Sequence, residues 1–463
     1  MKKRITKLMA LLLTTSMLVP MTACSTGGNE AKSDEHVLNI WCWNDEFQSR
    51  FNDYYPEVKK VSKDKSKTYL KDGTVVKWTI NENKGNNYQN KLDEALAAQD
   101  DKDDNEKIDI FLIEADYALK YVNSSATLDV VKDVGLTKKD LGDQYQYTKD
   151  IVTTKGVQKA TSWQAAPGLF AYRRSVAKQV LGTDDPVEVQ KSLSDWNKFN
   201  EVAGKAKSAG FQMLSGYDDS FRVFSNNVKQ PWVKGDTVTV DKNIMEWVKQ
   251  TKEFTDKGYN NKTSLWNDAW SKDQGPDGKV FGFFYSTWGI NFTLMKNSLA
   301  DPDGKAQVGN GAFGDWAVCE GPAPYYWGGS WLCAAKGTDD KKEIKDIMRK
   351  LTCDKNIMKK MTENPEIQDY TNTVSGMEEI AKDPNFGSEF LGGQNHVALF
   401  SESANKIDMS NTSKYDQGCN EKIQTAMKDY FDGKVSLDKA KKNFETSIKE
   451  TYPTIKKVEW PNE

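Results

Sequence analysis

Residues 37–41 (VLNIW) form a short apolar run, and the stretch after it places Phe47, Phe51, Tyr54 and Tyr55 at i, i+4, i+7 and i+8. That spacing predicts a strand followed by an amphipathic helix. Asn44 and Asp45 stand where a helix cap belongs, and Pro56 marks the end of the helix. Residues 74–80 (TVVKWTI) alternate, which puts Val76, Trp78 and Ile80 on one strand face. After Gly85, Asn86 and Asn87, a second helix aligns Tyr88, Leu92 and Leu96. Residues 109–113 (DIFLI) hold a continuous apolar run after Asp109, as in a strand covered on both faces. Alternating strands and helices predict a parallel sheet in an α/β domain. Ligands of such sheets sit beyond the carboxyl ends of the strands. Here those ends are 41–45, 81–88 and 114–116.

Beyond about residue 150 the character changes. Helix-like stretches at 195–206 and 244–257 alternate with loops rich in Asn, Asp, Gly and Trp, with no internal repeat. From Cys419 onward the tail is charged, with Ile423, Met427, Tyr430 and Phe431 at helical spacing. At the other end, Lys2, Lys3, Arg4 and Lys7 precede an apolar run over 8–18, the pattern of an export signal. That run is too short to span a bilayer of about 30 Å. Met21-Thr22-Ala23-Cys24 resembles a bacterial lipobox with Met in place of the usual Leu, which implies a signal over 1–23 and diacylglycerol on Cys24. Two acyl chains at about 0.8 kcal/mol per buried methylene hold a protein stably at a membrane. Residues 24–36 are small, polar and without apolar period, as in a flexible lipidated tether.

Composition narrows the chemistry. The 463 residues exceed one small domain, and 64 Lys+Arg against 67 Asp+Glu leave a net charge of −3. That balance offers no global attraction to nucleic acid. With only 2 His, the chain cannot supply a multi-histidine metal site and a separate histidine base, whereas 14 Trp provide abundant indole surface. Cys42, Cys319, Cys333, Cys353 and Cys419 remain once Cys24 is set aside; no C-x-x-C occurs, and buried structural thiols are expected. No cofactor or metal is called for. Asp301-Pro302-Asp303-Gly304 lacks the remaining ligands of a calcium loop and reads as a turn.

Ordered segments over nearly the whole mature chain carry a family resemblance. They are the lipobox, VLNIWCWND, NYQNKLDEALAA, DIFLIEAD, TSWQAAPGLFAYRRS, GKVFGFFYSTWG and WAVCEGPAPYYWGGSWLCAAKGTDDKKEIKDIM. In this order the chain resembles the extracellular solute-binding proteins of carbohydrate ABC importers, the family-1 group that includes maltose-binding protein. The resemblance implies an α/β fold of two periplasmic-binding-protein-like lobes with a ligand cleft between them. Lobe one would span 37–148 plus 317–364, and lobe two 149–316 plus 365–463. It further implies a monomeric, non-enzymatic receptor at the extracytoplasmic face of the cell membrane. Its partners would be an oligosaccharide, ABC permease subunits and, through Cys24, the membrane.

A pyranose has one apolar C–H face and a rim of hydroxyls, so indoles and oriented carboxylates, amides or Arg suit it. At strand ends the candidates are Trp43, Asn44 and Asp45, then Glu114 and Asp116. By the resemblance, Trp163 and Gln164 follow the first crossover, and Trp288 lies under the sugar. Asp219 belongs to a polar loop with Asp218 and Arg222. Trp232 is a candidate platform with Trp266 and Trp270, although the i, i+4 spacing of the last two equally fits a helix core. Trp327, Gly328, Gly329 and Trp331 form a cluster in which paired glycines allow close backbone approach or make a turn. Gln394, with Asn395, follows a second glycine pair. Two further readings remain open: a surface glycoside hydrolase using carboxylates such as Glu114, and the same fold with a non-sugar solute.

Overall fold

The computed structural model describes residues 36–461. The signal, the Cys24 lipidation site and all of the tether except His36 lie outside the described residues. No helix among the described residues is long and apolar enough to cross a membrane.

The first sheet is built as the hydrophobic pattern predicts. Val37–Cys42 pairs in parallel with Val75–Ile80 on one side and Ile110–Glu114 on the other. Val76 and Trp78 are buried, while Ile80, on the same face, emerges at the strand end with 41% of its surface exposed. Asn39, Asp109 and Asn105 tie the opposite, amino-terminal edge together through side-chain bonds to backbone. The helix Glu46–Tyr54 buries Phe47, Gln48 and Phe51, and its first-turn N–H from Glu46 reaches Asn44 Oδ1 at 3.2 Å; Asp45 makes no capping bond. The second helix is Asn87–Ala97, burying Tyr88, Gln89 and Leu92.

Three further strands complete this sheet. Val58–Val61 and Lys67–Leu70 extend it antiparallel beyond Val75–Ile80, a hairpin whose weak alternation hid it in the sequence. Ser330–Ala334 pairs antiparallel with Ile110–Glu114, closing the other edge. The strand order is therefore 330–334, 110–114, 37–42, 75–80, 67–70, 58–61. Leu38, Ile40, Phe47, Phe51 and Trp78 share one core with Ile344, Ile347 and Leu351 of the helix Lys341–Cys353.

A second, three-stranded sheet places Gly168–Arg173 between Gly282–Ser286 and Trp316–Cys319, all antiparallel. Helices Arg174–Leu181, Pro186–Leu193 and Trp196–Ser208 cover it through Val176, Leu193, Phe199 and Val202. Lys242–Lys257, Asp416–Phe431 and Leu437–Thr451 form a further helical core around Trp247, Met427 and Phe444. The strand Trp316–Cys319 corrects one expectation. Because it hydrogen-bonds to Gly168–Arg173, the chain returns to the first sheet only after Cys319, not at 317.

The chain passes between the sheets where three segments lie side by side. Gln164 bridges to Thr371 and Pro167 to Tyr326. The Ser162 hydroxyl donates to the Ser330 carbonyl at 2.6 Å, and the Asn372 amide donates to the Ser162 carbonyl at 3.1 Å. Cys42, Cys319, Cys333, Cys353 and Cys419 are all free thiols, four of them buried.

Candidate functional site

A cavity of about 400 Å³ opens where the carboxyl ends of the first sheet meet the loops of the second. Trp43 and Asn44 follow the first strand, Asn83 follows Val75–Ile80, and Glu114 and Asp116 follow Ile110–Glu114. Gln164 enters from the first crossover and Trp327 to Ser330 from the second. Arg222, on the short helix Phe221–Ser225, Trp266, Trp288 and Phe292 supply the rest.

Each wall is held by specific bonds. Glu114 Oε2 accepts the Asp116 backbone N–H at 2.8 Å, which fixes the carboxyl at the strand end. Arg222 grips Asp116 through two parallel N–H···O bonds of 2.5 Å, a bidentate pair that links the two sheets' walls. The Gln164 side-chain amide donates to Glu46 Oε1 at 3.2 Å. Trp43 packs edge-on against Tyr88 at 5.6 Å and Tyr117 at 6.4 Å, leaving one side of the indole to the cavity.

The tryptophans form a mutual cluster. Trp288 stacks on Trp266 (6.1 Å, 19°) and meets Trp327 edge-on (5.5 Å, 77°). The Trp288 indole N–H donates to the Trp327 carbonyl at 2.8 Å, so its ring orientation is fixed. The Arg222 guanidinium lies 5.7 Å from the Trp327 ring centroid. Gly328 has φ +74°, and a Cβ there would come within 2.9 Å of Trp288 Nε1. Glycine is required on both counts: any side chain would strain the backbone and push the indole aside. Trp266 itself adopts φ +69° and is 54% exposed, while Phe292 is 60% exposed. These two rings mark the rim. Phe292 sits on a π-helix, Ile290–Met295, an uncommon geometry frequent at functional sites.

Burial dominates the electrostatics. It pushes the Glu114 carboxyl above the usual glutamate range, and the neighbouring Asp116 adds to the shift. Burial, then Asp369, raises Glu46 in the same direction. Burial opposes the Arg222 charge, but the Asp116 carboxylate more than offsets it and keeps the guanidinium protonated.

Of the residues singled out in the sequence, Trp43, Asn44, Glu114, Asp116, Gln164, Arg222, Trp266, Trp288, Trp327, Gly328 and Gly329 line this cavity. The others are placed elsewhere. Asp45 is exposed at the start of its helix and does not line the cavity. Trp163 is fully buried in the first core, 5.1 Å from Phe47, because the crossover turns its side chain under the sheet. Asp219 is taken up by the Gly216 N–H at 2.6 Å and the Trp270 indole at 2.8 Å; burial pushes its carboxyl up to about 6. Trp232 donates to Asn420 Oδ1 and faces a smaller cavity of about 30 Å³ that shares Asp116 and Arg222. Trp331 is core, its indole bonded to the Thr148 carbonyl at 2.8 Å. Gln394 makes a two-way bond with the backbone of Val318, at 2.9 and 2.8 Å, and so splints a strand. Glu46, Asn83 and Phe292 were missed. Glu46 and Asn83 lie within about one helical turn of strand ends, at Cys42 and Ile80, a signal available in the sequence, whereas Phe292 lies six residues past Ser286.

Two comparisons place the chain among known proteins. A family model described as bacterial extracellular solute-binding protein matches residues 67–387, more than half of the chain. No curated protein sequence matches. Among solved structures, one described as extracellular solute-binding protein family 1 is similar at TM-score 0.67 and 16% identity, covering 91% of this chain and 100% of that one. The ABC-transporter-associated binding protein of B. animalis subsp. lactis, solved with beta-1,6-galactobiose, gives TM-score 0.65 and 16% identity over 92% of this chain and 100% of that one. The galacto-N-biose-/lacto-N-biose I-binding protein of Bifidobacterium longum, solved with lacto-N-biose, gives 0.64 and 14% over 91% and 98%. The described sheets thus adopt the two-lobed α/β architecture of periplasmic solute-binding proteins. With its cavity at the strand ends of the first sheet, the chain belongs to the bacterial extracellular solute-binding protein family.

Proposed function

We propose that the protein is an extracytoplasmic, lipid-anchored receptor that binds an oligosaccharide in the 400 Å³ cavity and delivers it to an ABC importer. The observation that carries this reading is the Trp266–Trp288–Trp327 cluster in one cavity with Glu46, Asn83 and Glu114. Indoles cover the C–H face of a pyranose, and the fixed acceptors take its hydroxyl protons. Micromolar affinity needs only about 8 kcal/mol net, within reach of a few stacked rings and satisfied hydroxyls. Two of the similar structures hold disaccharides, which supports the same class of ligand. The exposed rim aromatics Trp266 and Phe292 favour a chain longer than one ring. On this reading lobe one runs from 37 to about 163 and resumes after Cys319, with the rest of 164–319 and the tail in lobe two.

Calorimetry with gluco-, malto-, xylo-, manno- and galacto-oligosaccharides tests the proposal; saturable heat with at least one series is expected, and none with any series overturns it. Anchoring is tested separately. Cys24→Ala should move the protein out of the membrane fraction, and unchanged fractionation would exclude the lipid.

The hydrolase reading finds less support. A retaining mechanism wants two carboxyl groups about 5–5.5 Å apart and free to face the scissile bond. Asp116 is instead clamped by Arg222, and one Glu114 oxygen is held by backbone. Release of reducing ends from a bound sugar, abolished by Glu114→Gln, would reverse that judgement.

A further inference from the structure

The charge lining the cavity does not balance. Its ionisable groups are Glu46, Glu114, Asp116 and Arg222. Asp116 and Arg222 neutralise each other. Glu46 receives a bond from the neutral Gln164 amide, while nearby Arg50 is bound to both oxygens of Asp369 at 2.6 and 3.0 Å. Glu114 has one oxygen on the Asp116 N–H; its other oxygen lies beside Gly328, where even an added Cβ would stay 3.6 Å away. Two carboxyl groups thus face the cavity with no direct ion pair among the described residues; Arg222 and Arg50, each bound to another carboxylate, act on them only at longer range. Asn83 Oδ1 adds a buried acceptor with no protein donor.

A sugar hydroxyl can occupy a carboxylate lone pair but leaves its charge uncompensated. An ammonium supplies the hydrogen bond and the charge together, which matters most where water is scarce. Tryptophan faces also attract cations, so Trp288 and Trp327 pull in the same direction. We propose that the cavity selects sugars bearing a protonated primary amine, hexosamine units, over neutral sugars, with Glu114 receiving the ammonium. Burial is the main reason both glutamates hold their protons more tightly than in water, and an ammonium placed beside either one would favour its charged form. This inference rests on the carbohydrate reading of the cavity and deepens it.

The test is calorimetry at pH 7 in low salt with matched sugars. The probes are β-1,4-linked glucosamine oligosaccharides, cello-oligosaccharides of equal length, their N-acetylated counterparts, and the galactosamine–galactose pair. Amine-bearing sugars are expected to bind at least about tenfold tighter than neutral partners, and raised salt should narrow the gap. Glu114→Gln should weaken both sugars but cost the amine-bearing one at least about tenfold more than its neutral partner, closing the gap between them, and equal losses for the two would overturn the inference. The wild-type comparison stands alone if that variant does not fold. Neutral sugars binding as tightly as amino sugars, or more tightly, would overturn the inference and leave the carbohydrate reading intact. Binding of neither would overturn both. Spermidine binding as tightly as the amino sugars would show that charge alone is read, and would also overturn the inference.

Discussion

The wall of the cavity that carries Trp43, Asn44, Asn83 and Glu114 hangs on the ends of parallel strands of one sheet, whereas the wall with Trp266, Trp288 and Trp327 is made from loops and a short helical turn that follow strands of different sheets. The first wall inherits its geometry from register: residues 37–42, 75–80 and 110–114 end at the same edge because they are paired in parallel. The second wall has no such ladder. Its rings are placed by each other, by the Trp288–Trp327 backbone bond and by two left-handed glycines. Regular pairing sets polar groups at fixed spacing, and loop-borne aromatics then shape the surface opposite them. A ligand has to satisfy both, so affinity should fail in different ways when each wall is damaged.

The largest effect is expected from Trp288→Ala. Removing a ring that touches both other tryptophans should cost about 2–4 kcal/mol of binding, read by calorimetry, with only a small loss of folding stability. If Asn44→Ala cost as much, the distinction between the walls would fall. Next comes Asp116→Asn, which breaks the link between the walls and leaves Arg222 largely buried without its counter-charge. A loss of about 2–3 kcal/mol in denaturant unfolding is expected, and Arg222→Met in the same background should recover part of it. Gly328→Ala should then cost about 1–3 kcal/mol of stability and blunt the Trp288 contribution, since it adds strain and displaces the indole; tryptophan fluorescence would report the displacement.

The smallest effect is a pH dependence. The Asp219 carboxyl is raised by burial from 3.8 to about 6, so the folded state binds the extra proton between those values. Stability from this group is therefore present at the acid end and declines as pH rises from about 4 to about 6. Relative to wild type, Asp219→Asn should gain stability across that window, with no further change above it. A flat difference would mean that the Gly216 and Trp270 bonds hold the carboxylate as well as water does.

The same contrast explains what could be read from the chain. Strand ends were legible because VLNIW, TVVKWTI and DIFLI carry a clear period or a dense apolar run, and from them Trp43, Asn44, Glu114 and Asp116 followed. Trp163, Trp331 and Gln394 were misplaced for a common reason. Each sits one or a few residues from a crossover or glycine pair, where one residue's rotation turns a side chain from cleft to core, and no local pattern records that rotation. The hairpin 58–70 escaped because VKKV and KTYL are too short and too charged to show alternation. Arg222 stands in the sequence as one charge of a polar loop, and its partner Asp116 is 106 residues away, beyond the reach of any local pattern.

The thiols offer a consequence of a different kind. Cys319 closes the last strand of the second sheet and Cys333 lies within the returning strand of the first, so the pair brackets the 320–329 crossover. Both are inaccessible, and burial pushes the Cys319 thiol up to about 12, so neither reacts from the native arrangement. Any alkylation must wait for local opening, and its rate counts those openings one sheet at a time. Cys319 and Cys333 thus mark the two sides of the 320–329 crossover, and alkylation mapped to each cysteine times the loosening of either sheet separately.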